Sequence, residues 1–422
     1  MILSFFYRVR SFAINFISVL QILFLIPRWI WLRSRTNGTG AITRSFKATA
    51  PSLLTEPPTF EPGDTSDGGI ERLTSQLYKP ITINQIRLLE LYSGKPDEPL
   101  RGYLRTKQFN SLVRDQAYEA LSYVWGHLDR RRSIILNDKH FPISENLHTA
   151  LQHLRSEVTN RTIWIDAICI DQTNKTERNG QVSIMGDIYK CARGVVNWLG
   201  PDTADTAVGI EALSYLFGKE DITIRPPWEK FTPEKLCAGL NDILKRDYFQ
   251  RIWVVQENAL AVKVTIQVGN QTVTWQCGAE TYRAICRIKF TVISPAWDAF
   301  GLHEVDFRPL LEVLEQSMMI TRKEMNKSCR AVTLLDQAFD MRYRKATDRR
   351  DMLFGLRSMA PEHIRERIIV DYEKPVDEVY ADFFEEVKKA YMDEIQFVDE
   401  FEKERRRMEK IKEGKRQRYW GW

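Results

Sequence analysis

Between residues 86 and 268 the chain alternates short apolar runs with segments of helical period, and this alternation restricts the fold more than any other feature. Ile86-Arg87-Leu88-Leu89-Glu90-Leu91 reads as a strand, closed by the turn residues Ser93-Gly94-Lys95-Pro96. Tyr118 to Tyr123 reads as a second strand, running through Val124-Trp125 into a loop that ends at Gly126. Thr162 to Ile170 is apolar enough for a strand buried on both faces. Val195-Val196-Asn197-Trp198-Leu199-Gly200 and Val262 to Val268 complete the set. The intervening segments have helical spacing: Leu147, Leu151 and Leu154 behind the N-cap candidate Ser144, then Val182, Met185, Tyr189 and Ala192. A third helix, capped by Asp247, would present Phe249, Ile252, Trp253 and Leu260. Strands joined through helices imply an α/β fold with a mainly parallel sheet flanked by helices. Beyond residue 270 the pattern becomes mostly helical, with Ala346 to Leu356 as its clearest landmark and a densely charged tail from Asp393 to Arg418. A solvated, ion-paired helix is the simplest reading of that tail.

The 422 residues suffice for one large or two ordinary domains with real cores. A formal net charge of +5, spread over both signs, gives no nucleic-acid surface. The six cysteines form no C-x-x-C pair, which excludes the usual zinc spacings and fits buried thiols in a reducing compartment. The N-terminal 35 residues differ in kind. Ser11 to Pro27 carries no charge, arginines flank it on both sides, and Trp29 and Trp31 follow. Three readings stay open: a membrane anchor or interfacial helix touching the bilayer through residues 11–32, a transit-like segment, and a start-site artefact or buried helix. As an anchor, its basic flank would leave the rest of the chain in the cytosol. Residues 36–77 have the Thr, Ser, Pro and Gly content of a linker.

The sequence holds no P-loop, no G-x-G-x-x-G, no G-x-S-x-G and no H-E-x-x-H. In a parallel sheet, ligands bind beyond the carboxyl ends of the strands, which directs attention to Trp125-Gly126, Asp171-Gln172 and Gly200-Pro201. Trp253 and Glu257 stand four apart and share a helix face. A partly buried carboxylate there could stabilise a developing cation or act as a base. The plainer reading makes Trp253 core and pairs Glu257 with an arginine. Asp166, inside an apolar run, needs either a partner or a cleft, and Asp171 suits a cap. Ser122 and Tyr123 can equally satisfy core hydrogen bonds, and Trp125-Gly126 can be a packed ring before a turn.

Taken together, Ala117 to Gly126, Ile163 to Gln172, Glu177-Arg178 with Gln181-Val182, Met185 with Ile188-Tyr189, Trp198-Leu199-Gly200 and Arg251 to Glu257 resemble the heterokaryon-incompatibility (HET) domain of filamentous fungi. The resemblance covers about residues 78–270 and leaves 271–422 as the helical C-terminal region. It implies a cytoplasmic nonself-recognition effector that triggers cell death, acting with partner proteins of the incompatibility system and through self-association. Many members continue further, so the end at Tyr419-Trp420-Gly421-Trp422 reads as an early stop or altered gene end. HET domains are in turn distantly similar to Toll/interleukin-1 receptor (TIR) domains, whose sheet is flavodoxin-like. Some of those cleave NAD with a glutamate four residues after a Trp on a helix. That likeness implies Glu257 as catalytic carboxylate, with Ser122, Tyr123, Trp125, Asp166, Asp171, Gln172 and Trp253 around the nucleotide. It implies no metal and no resident cofactor, NAD being the substrate.

Overall fold

A computed structural model describes residues 76–111, 117–126, 132–218, 226–293, 297, 301–326, 331–390, 392–393 and 403. The apolar run at 11–32, nearly all of the Thr/Ser/Pro/Gly-rich stretch and all but two residues of the charged tail lie outside them. Among the described residues no helix is long and apolar enough to cross a membrane.

Nine strands form one sheet in the order β5-β4-β2-β1-β6-β3-β7-β8-β9. They are β1 (Gln85–Leu91), β2 (Arg101–Gln108), β3 (Glu119–Tyr123), β4 (Arg132–Leu136), β5 (Lys139–Ile143), β6 (Arg161–Trp164), β7 (Val195–Trp198), β8 (Lys263–Val268) and β9 (Gln271–Gln276). The sheet is mixed, which corrects the expectation of a mainly parallel one. Its centre, β6-β3-β7-β8, is parallel throughout. Antiparallel ladders β1-β2, β1-β6, β4-β5 and β8-β9 extend it on both sides. Two of the extensions are hairpins with two-residue turns: Asn137-Asp138, both at positive φ, and Gly269-Asn270 with Gly269 at φ +54°. Such turns match the twist of the strands they join, so no helix is needed between them.

The four parallel strands, taken in chain order, lie second-first-third-fourth. The connection out of β3 runs to β6 on one side and the connection out of β7 to β8 on the other, so the carboxyl ends of β3 and β7 flank a topological switch point. Across that junction Ser122 is in register with Asn197 and Tyr123 with Trp198. All four residues of β7 are buried, as expected for a strand covered on both faces.

The helices needed below are α1 (Glu145–Leu154), α2 (Asp166–Cys169), α3 (Lys175–Cys191), α4 (Trp253–Ala259), α5 (Arg308–Asn326), α6 (Ala331–Asp340) and α7 (Asp351–Arg357). Ser144 does cap α1, accepting from Leu147 N–H, and Leu147, Leu151 and Leu154 are buried. Two local expectations fail. The apolar run from Thr162 leaves the sheet after Trp164, and Asp166–Cys169 turns into a helix held by Cys169 N–H donating to Ile165 O at 2.7 Å. Asp247 begins only a 3₁₀ turn, Asp247–Gln250; the chain extends again at Arg251 before α4 starts.

Two hydrophobic cores meet on α4. Val254 belongs to the sheet's core with Leu121, Trp164 and Trp198, whereas Ile252, Val255 and Ala259 join Leu353, Phe354, Leu356 and Val387 of the helical C-terminal region. The same seam pins α3 at Gly186, where an added Cβ would run into Ser358 and stand 2.8 Å from Leu260 Cδ1. Gly186→Ala is therefore expected to destabilise the protein by about 1–3 kcal/mol through overpacking, despite the better helix propensity of Ala. Thermal denaturation checks this; an unchanged or raised midpoint would contradict it.

Candidate functional site

The carboxyl ends of β3 and β6 bring most of the expected residues together. Ser122, on the last buried stretch of β3, donates its hydroxyl proton to Glu257 Oε2. Glu257 comes from α4 and is only 2% exposed. Behind Ser122 runs a chain of side chains with one consistent direction. Asn197 Nδ2 donates to Asn258 Oδ1 at 2.6 Å, and Asn258 Nδ2 to Tyr248 Oη at 3.0 Å. The Tyr248 hydroxyl, having accepted, gives its proton to Ser122 Oγ at 2.8 Å. Ser122 passes the same sense on to the carboxyl group. The side-chain bonds of this buried series thus run toward Glu257, which is how a low-dielectric interior supports an anion, while the second amide proton of Asn258 goes to Val254 O at 2.8 Å.

Burial opposes that support. It is the largest influence on Glu257 and pushes its pKa up from 4.5 to about 7, against the Arg251 charge and the Ser122 hydrogen bond, which favour ionisation. Asp166 adds to the rise. The carboxyl group is therefore poised to gain or lose a proton near neutrality, the property demanded of a general acid or base. Among the described residues it makes no ion pair in direct contact, so pairing with an arginine is not what holds it. Tyr189 lies against it as well; its hydroxyl donates to Leu121 O at 3.0 Å, and burial raises its pKa far above the usual range.

Asp166 stands half-buried at the start of α2. Its Oδ2 accepts from the indole of Trp125 at 2.8 Å and its Oδ1 from Ala167 N–H at 2.7 Å. Burial raises its pKa, with Arg251 as the main opposing charge. Gln172 closes the same corner by donating to Asp166 O at 3.0 Å. Trp125→Phe is expected to cost about 1–2 kcal/mol and to push the Asp166 carboxyl further up, since a charged acceptor loses its donor. Denaturation at pH 5 and pH 8 tests this, and a variant as stable as wild type at pH 8 would count against it.

Other expected residues are placed differently. Tyr123 contributes its main-chain carbonyl, which accepts from Arg251 Nη1, while its ring is buried. Asp171 is spent on its own turn, accepting from Thr173 N–H at 3.1 Å and Thr173 Oγ1 at 2.6 Å. Trp253 is shared between the two cores. It packs against both, near Asp351, a carboxyl that accepts from the Tyr372 hydroxyl and that burial raises to about 6. Arg251 and Tyr189 stand in the motifs quoted above but not among the candidate site residues, and Asn197, Tyr248 and Asn258 are further additions. A polar Asn inside the apolar run Val195 to Trp198 was the one visible signal, because a buried amide requires a partner.

Among the described residues no group of three or more His, Cys, Asp or Glu side chains could hold a metal ion. No solved structure matches the chain. The chain is 30% identical over 201 residues to Heterokaryon incompatibility protein 6, OR allele, of Neurospora crassa, an alignment covering 37% of this chain and 29% of that relative. It therefore spans a little under a third of the length of that curated relative. Residues 118–257, from the start of β3 to the buried glutamate of α4, match the family model described as Heterokaryon incompatibility protein (HET).

Proposed function

We propose that the chain is a cytoplasmic nonself-recognition effector that triggers cell death on engagement, and that Glu257 carries its chemistry by cleaving NAD at the nicotinamide–ribose bond. The observation that carries the reading is the Glu257 carboxyl itself. It lies beside the switch point of a parallel quartet, where such sheets bind ligands, with the Ser122 hydroxyl donating to it and a pKa of about 7. The match over residues 118–257 and the relative's name support the incompatibility role. The spacing of Trp253 and Glu257, and Ser122-Tyr123 at a strand end, support the likeness to NAD-cleaving TIR domains.

In the reaction the C–N bond to nicotinamide breaks, nicotinamide leaves with the bonding pair, and a carboxylate stabilises the oxocarbenium-like ribose as in glycoside hydrolysis. Water then adds to the ribose carbon and releases a proton, giving ADP-ribose. In the state described Glu257 is closed over, so turnover requires a rearranged, assembled state. Self-association supplies that switch. A second reading is favoured by the same closure: a chain that signals by assembly with partner proteins, with Glu257 as a structural core carboxyl. Inducible expression of the full chain in fungal cells separates the two. Wild type should kill while Glu257→Ala, at equal soluble level, should not. A Glu257→Ala chain that kills as well as wild type would sink the enzymatic reading and leave assembly.

A further inference from the structure

The stretch Phe249 to Ile252 is held from outside the sheet. Arg344, whose side chain is 0% exposed, donates from Nη1 to Phe249 O at 2.7 Å and pairs through Nη2 with Glu312 of α5 at 3.0 Å. Its neighbour Lys345 donates its N–H to Gln250 O at 2.6 Å and accepts from Ile252 N–H at 3.0 Å. Arg251 lies inside this clamped stretch, with Nη1 on Tyr123 O. An extended segment between a 3₁₀ turn and α4 has few hydrogen bonds of its own to fix it. The two residues after α6 and its closing turn provide them.

We propose that Arg344 is a positioning residue of the Glu257 site: it fixes the backbone of residues 249–251 and thereby keeps the Arg251 guanidinium on Tyr123 O, at the end of β3 beside Ser122. The proposal rests on the reading of Glu257 as the functional group, and it makes the helical C-terminal region part of the site's control. Arg251 is the strongest influence favouring ionisation at both carboxyls. A displaced Arg251 therefore has a signed consequence at Glu257, whose other neighbours are Ser122, Tyr189, Tyr248 and Asp166. The seam is also incompletely bonded: both amide atoms of the fully buried Gln256, on α4, lack hydrogen-bond partners.

The test is the titration of Glu257 in the full chain, read by carboxyl-carbon NMR of glutamate-labelled protein with the resonance assigned through Glu257→Gln. Arg344→Lys keeps a cation beside Glu312 but loses the planar donor geometry. It should fold, shift the Glu257 midpoint upward by about one pH unit, and speed hydrogen exchange at Ile252 relative to β3. A folded Arg344→Lys chain with an unmoved Glu257 midpoint would overturn the proposal. Should that variant fail to fold, Glu312→Gln, which frees Arg344 from its other side, should move the midpoint in the same direction, and no movement again overturns it. The midpoint is readable whether or not the protein consumes NAD, so failure of the chemistry and failure of the positioning role are separate results.

Discussion

Glu257→Gln is expected to remove a pH-dependent loss of stability while sharply lowering activity. In the folded chain the carboxyl's pKa is raised from 4.5 to about 7, burial being the main cause. A raised acid favours the fold in its neutral form. Its stabilisation is fully present below pH 4.5 and is lost as pH rises through 7. The span corresponds to ~3 kcal/mol. Glutamine keeps the shape and an acceptor oxygen for Ser122 but cannot ionise, so the variant should match wild type near pH 4 and exceed it in stability at pH 8. The difference between the two proteins isolates Glu257 from Asp351, which titrates near 6 in the same sense. Activity should fall by roughly 10²–10⁴-fold, the usual weight of a positioned acid or base. Urea denaturation at pH 4, 6 and 8 checks the first half; a wild-type-minus-variant difference that is constant with pH would contradict it.

Glu177→Ala is expected to cost about 3–5 kcal/mol, because it strands a buried cation. Arg87 and Glu177 have side chains 2% and 6% exposed and meet through two parallel bonds of 2.5 and 2.9 Å. Arg87 also donates to Cys169 O at 3.2 Å and Lys79 O at 2.7 Å, and Glu177 accepts from Asp171 N–H at 2.8 Å. The pair therefore ties β1 to α2, to the Asp171 turn and to the start of α3. Arg87→Met with Glu177→Leu removes both charges together and should recover most of the loss. If Glu177→Ala proves within ~0.5 kcal/mol of wild type, the pair is solvated and the account of this corner is wrong.

The parallel quartet was legible because its strands are apolar on both faces and separated by helical spacing, a pattern few arrangements satisfy. The flanking strands were not. Arg101–Gln108 buries alternate residues only at its start and is otherwise exposed, and Lys139–Ile143 carries His140 and Pro142, so neither stands out as a strand. Their turns, Asn137-Asp138 and Gly269-Asn270, were the available clue to antiparallel hairpins. Ile165 to Ile170 looked like strand because β-branched apolar residues fit a buried helix turn equally well. At the site, the parallel-sheet rule directs attention to Trp125 and Gln172, whereas Glu257 is visible through its spacing from Trp253 and Asp166 as a charge inside an apolar run. The donors behind them come from Asn197, Tyr248 and Asn258, and their meeting depends on how α4 packs across the sheet. Arg344 lies beyond any pattern of period or spacing, since its role is to bond carbonyls more than ninety residues away.

The measurement closest to the central claim is NAD consumption by purified full-length chain in its assembled state, wild type beside Glu257→Gln. The account predicts steady loss of NAD with matching release of nicotinamide for wild type, and none for the variant. Wild-type protein that kills cells yet leaves NAD untouched would contradict it and transfer the function to assembly with partner proteins.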